Sequence, residues 1–315
     1  MRFPLVFPTI ALCSGIFLGC SRPADEGRAY RYRPPISPTI RNVPYADKFP
    51  EQKLDLYLPA KSEGPAPLVI WIHGGQFRVG DKGSMPVGQH GPPAILIRLA
   101  RWVGIEGIYQ IQVPDVGALT AKGYAVASLN YRLLNKPGEK FYSIALPAVQ
   151  DGKAAVRFLR ANASKYNIDP RRFAVWGNSA GGFIGAMLGV TGDQPTVFDD
   201  PALGNADVSS AVQAVVVWFG AIDADFLRPE IRIFHYIPSA RAIPPFWIAN
   251  GDADEGVTAG MAKRLNEALV RAGAKSTLTI LPGAGHEDPA FMATQMPPTF
   301  GFLDETFGRA GSQAH

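Results

Sequence analysis

Phe173-Ala-Val-Trp-Gly177-Asn-Ser179-Ala-Gly181-Gly182 is the stretch that decides the reading of this chain. An uninterrupted apolar run, Phe173 to Trp176, stops at a G-x-S-x-G, and a helical pattern follows. A serine at a strand-to-helix junction stands on a sharp turn with its hydroxyl clear of the sheet, which is the arrangement of a nucleophile elbow. Gly177 and Gly181 let backbone segments approach where a Cβ would collide. The competing reading is a glycine-rich turn with an incidental serine. A serine hydroxyl is a poor nucleophile until a base takes its proton, so the elbow reading requires a histidine and an acid elsewhere in the chain.

Outward from the elbow, short apolar runs alternate with helical patterns. Lys53 to Leu58 alternates with period two, as a half-buried strand does. Leu68 to Ile72, Tyr124 to Leu129, Ala214 to Trp218, Phe246 to Ala249 and Thr277 to Leu281 are further strand candidates. Their uninterrupted apolar character fits strands of a parallel sheet covered on both faces. Val149, Val156 and Leu159 share one helical face, with Asp151, Lys153, Arg157 and Arg160 expected to face outward. Met261, Leu265 and Leu269 repeat at i, i+4, i+8 between Thr258 and Gly273. Strands and helices in alternation argue an α/β fold with a mostly parallel central sheet and helices on both faces. One domain is expected over residues 41–308, with a tail at 309–315. An insertion at about 86–114 is longer than an ordinary connection.

Composition narrows the class. Of 315 residues 47% are hydrophobic and 18% charged, with a net charge of +4, which excludes a disordered chain. The 31 basic residues are scattered rather than clustered with aromatics, so no nucleic-acid partner is expected. The two cysteines, Cys13 and Cys20, both lie near the N-terminus, leaving the rest of the chain without a disulfide framework or thiolate metal site. Residues 1–19 carry one positive charge and a mainly apolar run, the layout of a secretory signal; Pro4 and Pro8 interrupt it as a membrane span. Gly19-Cys20 after that run resembles the lipobox of bacterial lipoproteins, with Phe17 and Leu18 where such sites usually carry Leu and a small residue. That resemblance implies lipidation at Cys20, an exported protein anchored in the cell envelope, and a Pro-rich tether over 20–40. A periplasmic or secreted protein without the lipid is the alternative.

Five histidines are available as the base: His73, His90, His235, His286 and His315. His286, in Pro282-Gly-Ala-Gly-His286, follows the last strand and would reach the same sheet edge as the elbow. Asp252 and Asp254 follow the strand Phe246 to Ala249, and either suits the acid that orients the histidine. Asp223 and Asp225 are less favoured. The chain order Ser, Asp, His then matches one of the known triad orders. An anionic tetrahedral intermediate needs amide donors, and His73-Gly74-Gly75-Gln76 after a strand provides backbone N–H groups to combine with that of Ala180. His73 is read as shaping that loop rather than as the base.

With these motifs in order, the sequence resembles the α/β-hydrolase serine esterases, in particular bacterial carboxylesterases related to the hormone-sensitive-lipase group and feruloyl-esterase-like proteins. The likeness runs from about residue 41 to 305. It is carried by Leu54-Asp-Leu-Tyr-Leu-Pro59, Ile72-His-Gly-Gly75, Asn130-Tyr-Arg-Leu133, Gly177-Asn-Ser-Ala-Gly-Gly182, Gly251-Asp-Ala-Asp254 and Gly283-Ala-Gly-His286. It implies Ser179 as nucleophile, His286 as base and Asp254 as acid, since Asp254-Glu-Gly-Val257 fits the family's Asp-x-x-Val spacing. Gly74, Gly75, Gln76 and Ala180 then form the oxyanion hole. Gln76 stands where the family often has Gly or Ala, and Glu255 where a proline is common.

The expected activity is hydrolysis of short-chain or glycan-linked carboxylic esters through an acyl-enzyme, with no cofactor or metal. The expected partners are a small-molecule or glycan-linked ester and, through the lipid, a membrane. Two alternatives stand beside it: a serine peptidase of the prolyl-oligopeptidase type, and a non-catalytic surface-binding lipoprotein.

Overall fold

A computed structural model describes residues 30, 33, 36–83, 114–134, 141–222 and 228–309. The expected leader at 1–19, Cys20, much of the expected tether, the expected insertion apart from Pro114, Asp223, Asp225, His90, the residues from 310 and His315 lie outside the described residues.

Eight strands form one sheet: β1 (Ile40–Pro44), β2 (Lys53–Tyr57), β3 (Ala66–Ile72), β4 (Ala125–Leu129), β5 (Ile168–Asn178), β6 (Ala214–Trp218), β7 (Phe246–Gly251) and β8 (Ser276–Leu281). Their order is β1-β2-β4-β3-β5-β6-β7-β8. The β1–β2 and β2–β4 pairings are antiparallel, and those from β4 through to β8 are parallel. Every residue of β3, β4 and β6 is buried, as their continuous apolar runs require. Within a run, alternate residues still serve opposite faces. Ile70 and Ile72 join one core with Val149 and Leu159 of α2 (Phe141–Ala161), Phe183 of α3 (Ala180–Thr191) and Leu265 of α5 (Ala259–Arg271). Trp71 joins the other, with Trp176, Trp218, Leu119 of α1 (Val116–Ala121) and Phe291 and Phe300 of α6 (Pro289–Thr306). A single turn of helix, α4 (Ile233–Tyr236), precedes β7.

The helices after β3 and β5, α1 and α3, lie on opposite faces. The carboxyl ends of these two neighbouring strands therefore bound a crevice of the kind in which open α/β sheets bind ligands.

Two expectations about exposure are corrected. Asp151, Lys153 and Arg157 of α2 are buried rather than outward-facing, and Arg160 is half-buried. The chain after α3 folds back over that flank of the helix. Lys153 pairs with Asp199 (2.7 Å), Arg157 donates to the carbonyls of Asp200 and Gly204, and Arg160 to those of Ser209 and Ala211. Asp151 accepts from Gln52 Nε2 (2.7 Å) and from Arg132 N–H and Nε (2.8 and 2.9 Å). Burial nonetheless raises its pKa, and lowers that of Lys153. On β2, the period-two pattern predicts an exposed Asp55, yet Asp55 lies buried beneath Lys82 and accepts from the Asn42 N–H.

Tyr30 and Arg33, within the stretch expected to be a tether, are held against the body. Asp115 caps α1 through the Ala118 N–H (2.7 Å), and its second oxygen accepts from Tyr30 Oη (2.8 Å) and the Arg33 N–H (2.7 Å).

Candidate active site

β5 ends at Asn178, α3 begins at Ala180, and Ser179 makes the turn between them with φ 52° and ψ −116°. A left-handed serine is strained and persists only where its surroundings hold it. Glycines supply the room. A Cβ on Gly177 would stand 2.1 Å from the Gly181 carbonyl oxygen, and one on Gly181 would stand 2.0 Å from that of Ile72. Both clashes are with backbone, so no side chain could yield to relieve them.

Ser179 Oγ lies 3.0 Å from His286 Nε2, and His286 Nδ1 lies 2.7 Å from Asp254 Oδ2. A carboxylate accepts, so the proton of the neutral ring sits on Nδ1 and leaves the Nε2 lone pair facing the serine hydroxyl. Asp254 follows β7 and its side chain is fully buried. Its other oxygen accepts from the Gly256 and Val257 N–H groups (3.0 and 2.8 Å), which aims the first at the histidine. Asp252 does not meet the ring. It accepts from the Gly283 N–H (2.6 Å) and so ties the acid loop to the histidine loop.

The loop after β3 closes on the same point. A Cβ on Gly74 would lie 3.1 Å from both Ser179 Cβ and the Asn178 carbonyl oxygen. Gly75, Gln76 and Phe77 follow with φ of 102°, 56° and 57°. Ala180 is the first residue of α3, and the N–H groups of a helix's first turn lack intrahelical acceptors. An anion beside Ser179 would thus meet unpaired helix N–H groups and the positive end of the α3 dipole.

His73 stays out of this line. It is fully buried, stacks on Tyr131 at 4.5 Å, and its Nδ1 donates to the Gly74 carbonyl at 2.7 Å. Burial lowers its pKa to about 4, so the ring is neutral. His235 is exposed and sits edge-on to Tyr236. The sequence reading missed Phe219, which packs edge-on to His286 at 5.0 Å from a left-handed position just past β6. Its signal was positional: it is the first residue beyond a strand's carboxyl end, followed by Gly220.

The BD-FAE family matches residues 89–232 of the chain. Isoprenylcysteine alpha-carbonyl methylesterase ICME of Arabidopsis thaliana is 24% identical over 307 residues, covering 87% of this chain and 62% of its own length. Esterase LipC of Mycobacterium tuberculosis is 28% identical over 277 residues, covering 78% of this chain and 59% of its own. The chain thus spans about three fifths of these curated relatives. Among solved structures, a truncated carbohydrate esterase from gut microbiota superposes with a TM-score of 0.65 at 26% identity, over 84% of this chain and 95% of that one. Sheet order, elbow and likenesses agree: the chain has the α/β-hydrolase fold, and the relatives it resembles there are esterases.

Proposed function

We propose that the protein is a serine carboxylic-ester hydrolase working through Ser179, His286 and Asp254. The observation that carries this reading is the unbroken hydrogen-bonded line from Asp254 to His286 to Ser179 beside Gly74. Ser179 Oγ attacks the ester carbonyl carbon while His286 Nε2 takes its proton. The carbonyl oxygen becomes an oxyanion held by backbone N–H groups of the Gly74–Gln76 loop and Ala180. Collapse of the tetrahedral intermediate breaks the ester C–O bond, and the imidazolium returns the proton to the departing alcohol. Water then repeats the cycle on the acyl-serine, with His286 again the base. Asp254 keeps the ring in the productive tautomer and stabilises its charged form.

Short-chain or glycan-linked esters are the substrates most in keeping with the relatives, one named a methylesterase and another a carbohydrate esterase. We place the protein outside the cytoplasm, anchored through a lipid on Cys20, on the strength of the leader and the Gly19-Cys20 junction.

The test is turnover of short p-nitrophenyl esters and labelling by a fluorophosphonate probe. Ser179→Ala abolishes both, and Asp254→Asn lowers kcat by about 10³–10⁴-fold, whereas Asp252→Asn leaves kcat within about tenfold of the unaltered protein. Normal turnover by folded Ser179→Ala would overturn the assignment.

A further inference from the structure

The loop after β3 holds a conformation its residues do not adopt freely. Gly75, Gln76 and Phe77 are three consecutive left-handed residues, two of which carry side chains. Such backbone persists only where its surroundings over-determine it. On the side nearer Ser179 the restraint is packing. Phe77 is fully buried edge-on to Tyr131 and Phe183, and its carbonyl accepts from the Leu134 N–H at 2.7 Å. Tyr131 Oη donates to the His73 carbonyl at 2.9 Å.

The far end of the loop is held by polar groups instead. Asn130, just past β4, accepts from the Lys82 N–H through Oδ1 and donates through Nδ2 to Asp81 Oδ2 at 2.7 Å. Ser128 Oγ donates to the Lys82 carbonyl at 2.6 Å. Lys82 Nζ lies 3.2 and 3.3 Å from the two carboxylate oxygens of Asp55 on β2, with 10% and 3% of the two side chains exposed. Burial works against the Asp81 carboxylate, but the Asn130 and Gly83 donors and the Lys82 charge hold its pKa below the ordinary value. A buried ion pair is weak evidence for stability, because desolvation offsets the attraction; its better-attested use is to select one arrangement. Here the fixed partners stand on or directly after strands, Asp55 on β2 and Asn130 next after β4, and both held residues, Asp81 and Lys82, belong to the loop. Between them and the left-handed run stands Gly80, where a Cβ would lie 2.2 Å from His73 Nδ1. Displacement at Lys82 is therefore passed to the Gly74–Gln76 segment through tight contacts.

We infer that Lys82, through its pair with Asp55, and Asn130 are positioning residues for the oxyanion donors, holding the end of the loop so that the left-handed run keeps its N–H groups on the reacting carbonyl. The inference rests on the ester-hydrolase reading. Donors of this kind act on charge that exists only in the transition state. Lys82→Met and Asn130→Ala therefore each lower kcat about tenfold, or about 1.4 kcal/mol, with KM within about twofold. Rates are taken per site titrated with a fluorophosphonate, so that unfolded molecules do not count. Binding of a trifluoromethyl ketone, which forms an oxyanion on Ser179, weakens about tenfold, while that of the neutral alcohol product holds within about twofold. Lys82→Arg restores most of the loss. Equal weakening of both ligands, or kcat per titrated site within about twofold of the unaltered protein in the folded variants, would overturn the inference. Should Lys82→Met fail to fold, Asn130→Ala and Lys82→Arg decide it by the same readouts. An unaltered protein that neither labels nor turns over any ester would instead remove the ester-hydrolase reading, and this inference with it.

Discussion

His73 is neutral in the folded protein, and unfolding in mildly acidic solution obliges it to take up a proton. Burial pulls its pKa down to about 4, against the opposing pull of the Gly74 carbonyl and Asp81. The unfolded chain has the ordinary value, about 6.5. Between these values the unfolded state binds one more proton, so stability is complete above about pH 6.5, falls as pH drops toward 4, and levels below that. From about pH 7.5 to about pH 5.5 the loss is about 1.3 kcal/mol. That window lies above the range in which most carboxylates titrate. The assay is urea unfolding at both pH values for the unaltered protein and for His73→Asn. The Asn Nδ2 falls near the place of His73 Nδ1 and preserves a donor for the Gly74 carbonyl. Every other group is common to the two proteins, so its contribution cancels in the comparison. The unaltered protein should lose about 1.3 kcal/mol more than the variant across the window, whatever their difference at pH 7.5. An identical pH dependence in the two would refute the neutral, buried imidazole.

Two further substitutions test the packing around the site. Gly181→Ala drives a Cβ to within 2.0 Å of the Ile72 carbonyl oxygen. It should cost about 3 kcal/mol or more, read as a lower urea midpoint, and a change under about 1 kcal/mol would contradict the close approach of β3 and α3. Arg132→Met leaves the buried Asp151 carboxylate without its charged partner and should cost about 3 kcal/mol. Adding Asp151→Asn should recover part of that loss, and a double variant less stable than the single would show that Asp151 does not need the charge.

The site was more legible than the walls that hold it. Ser179, Asp254 and His286 each stand just past a short apolar run, and a parallel sheet brings all such positions to one edge, so local pattern was enough to bring them together. The preference for Asp254 over Asp252 came from likeness to a family. In the structure it corresponds to the two loop N–H groups that turn Asp254 toward the ring. Asp151, Lys153 and Arg157 were misread because helical periodicity presumes that charge faces water. What covers Lys153 and Arg157 arrives more than 40 residues later in the chain, as Asp199 and Asp200, while Asp151 is covered from earlier in it, by Gln52 and Arg132, and no local pattern announces either. Asp55, on the polar side of the period-two pattern of β2, is likewise covered from outside its own element, by the Lys82 side chain. Phe219 was missed because its place beside His286 follows from a left-handed backbone turn, which an aromatic residue does not advertise, and its position past a strand end was the only cue.

The tryptophans buried under α6 make that face of the sheet an optical instrument. Trp176 and Trp218 stand edge to face at 4.9 Å in a fixed, asymmetric setting, and such fixed aromatic packing gives a near-ultraviolet circular dichroism signal that disappears when packing loosens, even if helices and strands survive. Trp218 lies beside Phe291, Phe291 beside Phe219, and Phe219 beside His286. The native spectrum therefore reports without any added label on the surroundings of the ring that the proposed mechanism asks to move a proton, and a chain that is folded but slack at its site would betray itself by colourless light alone.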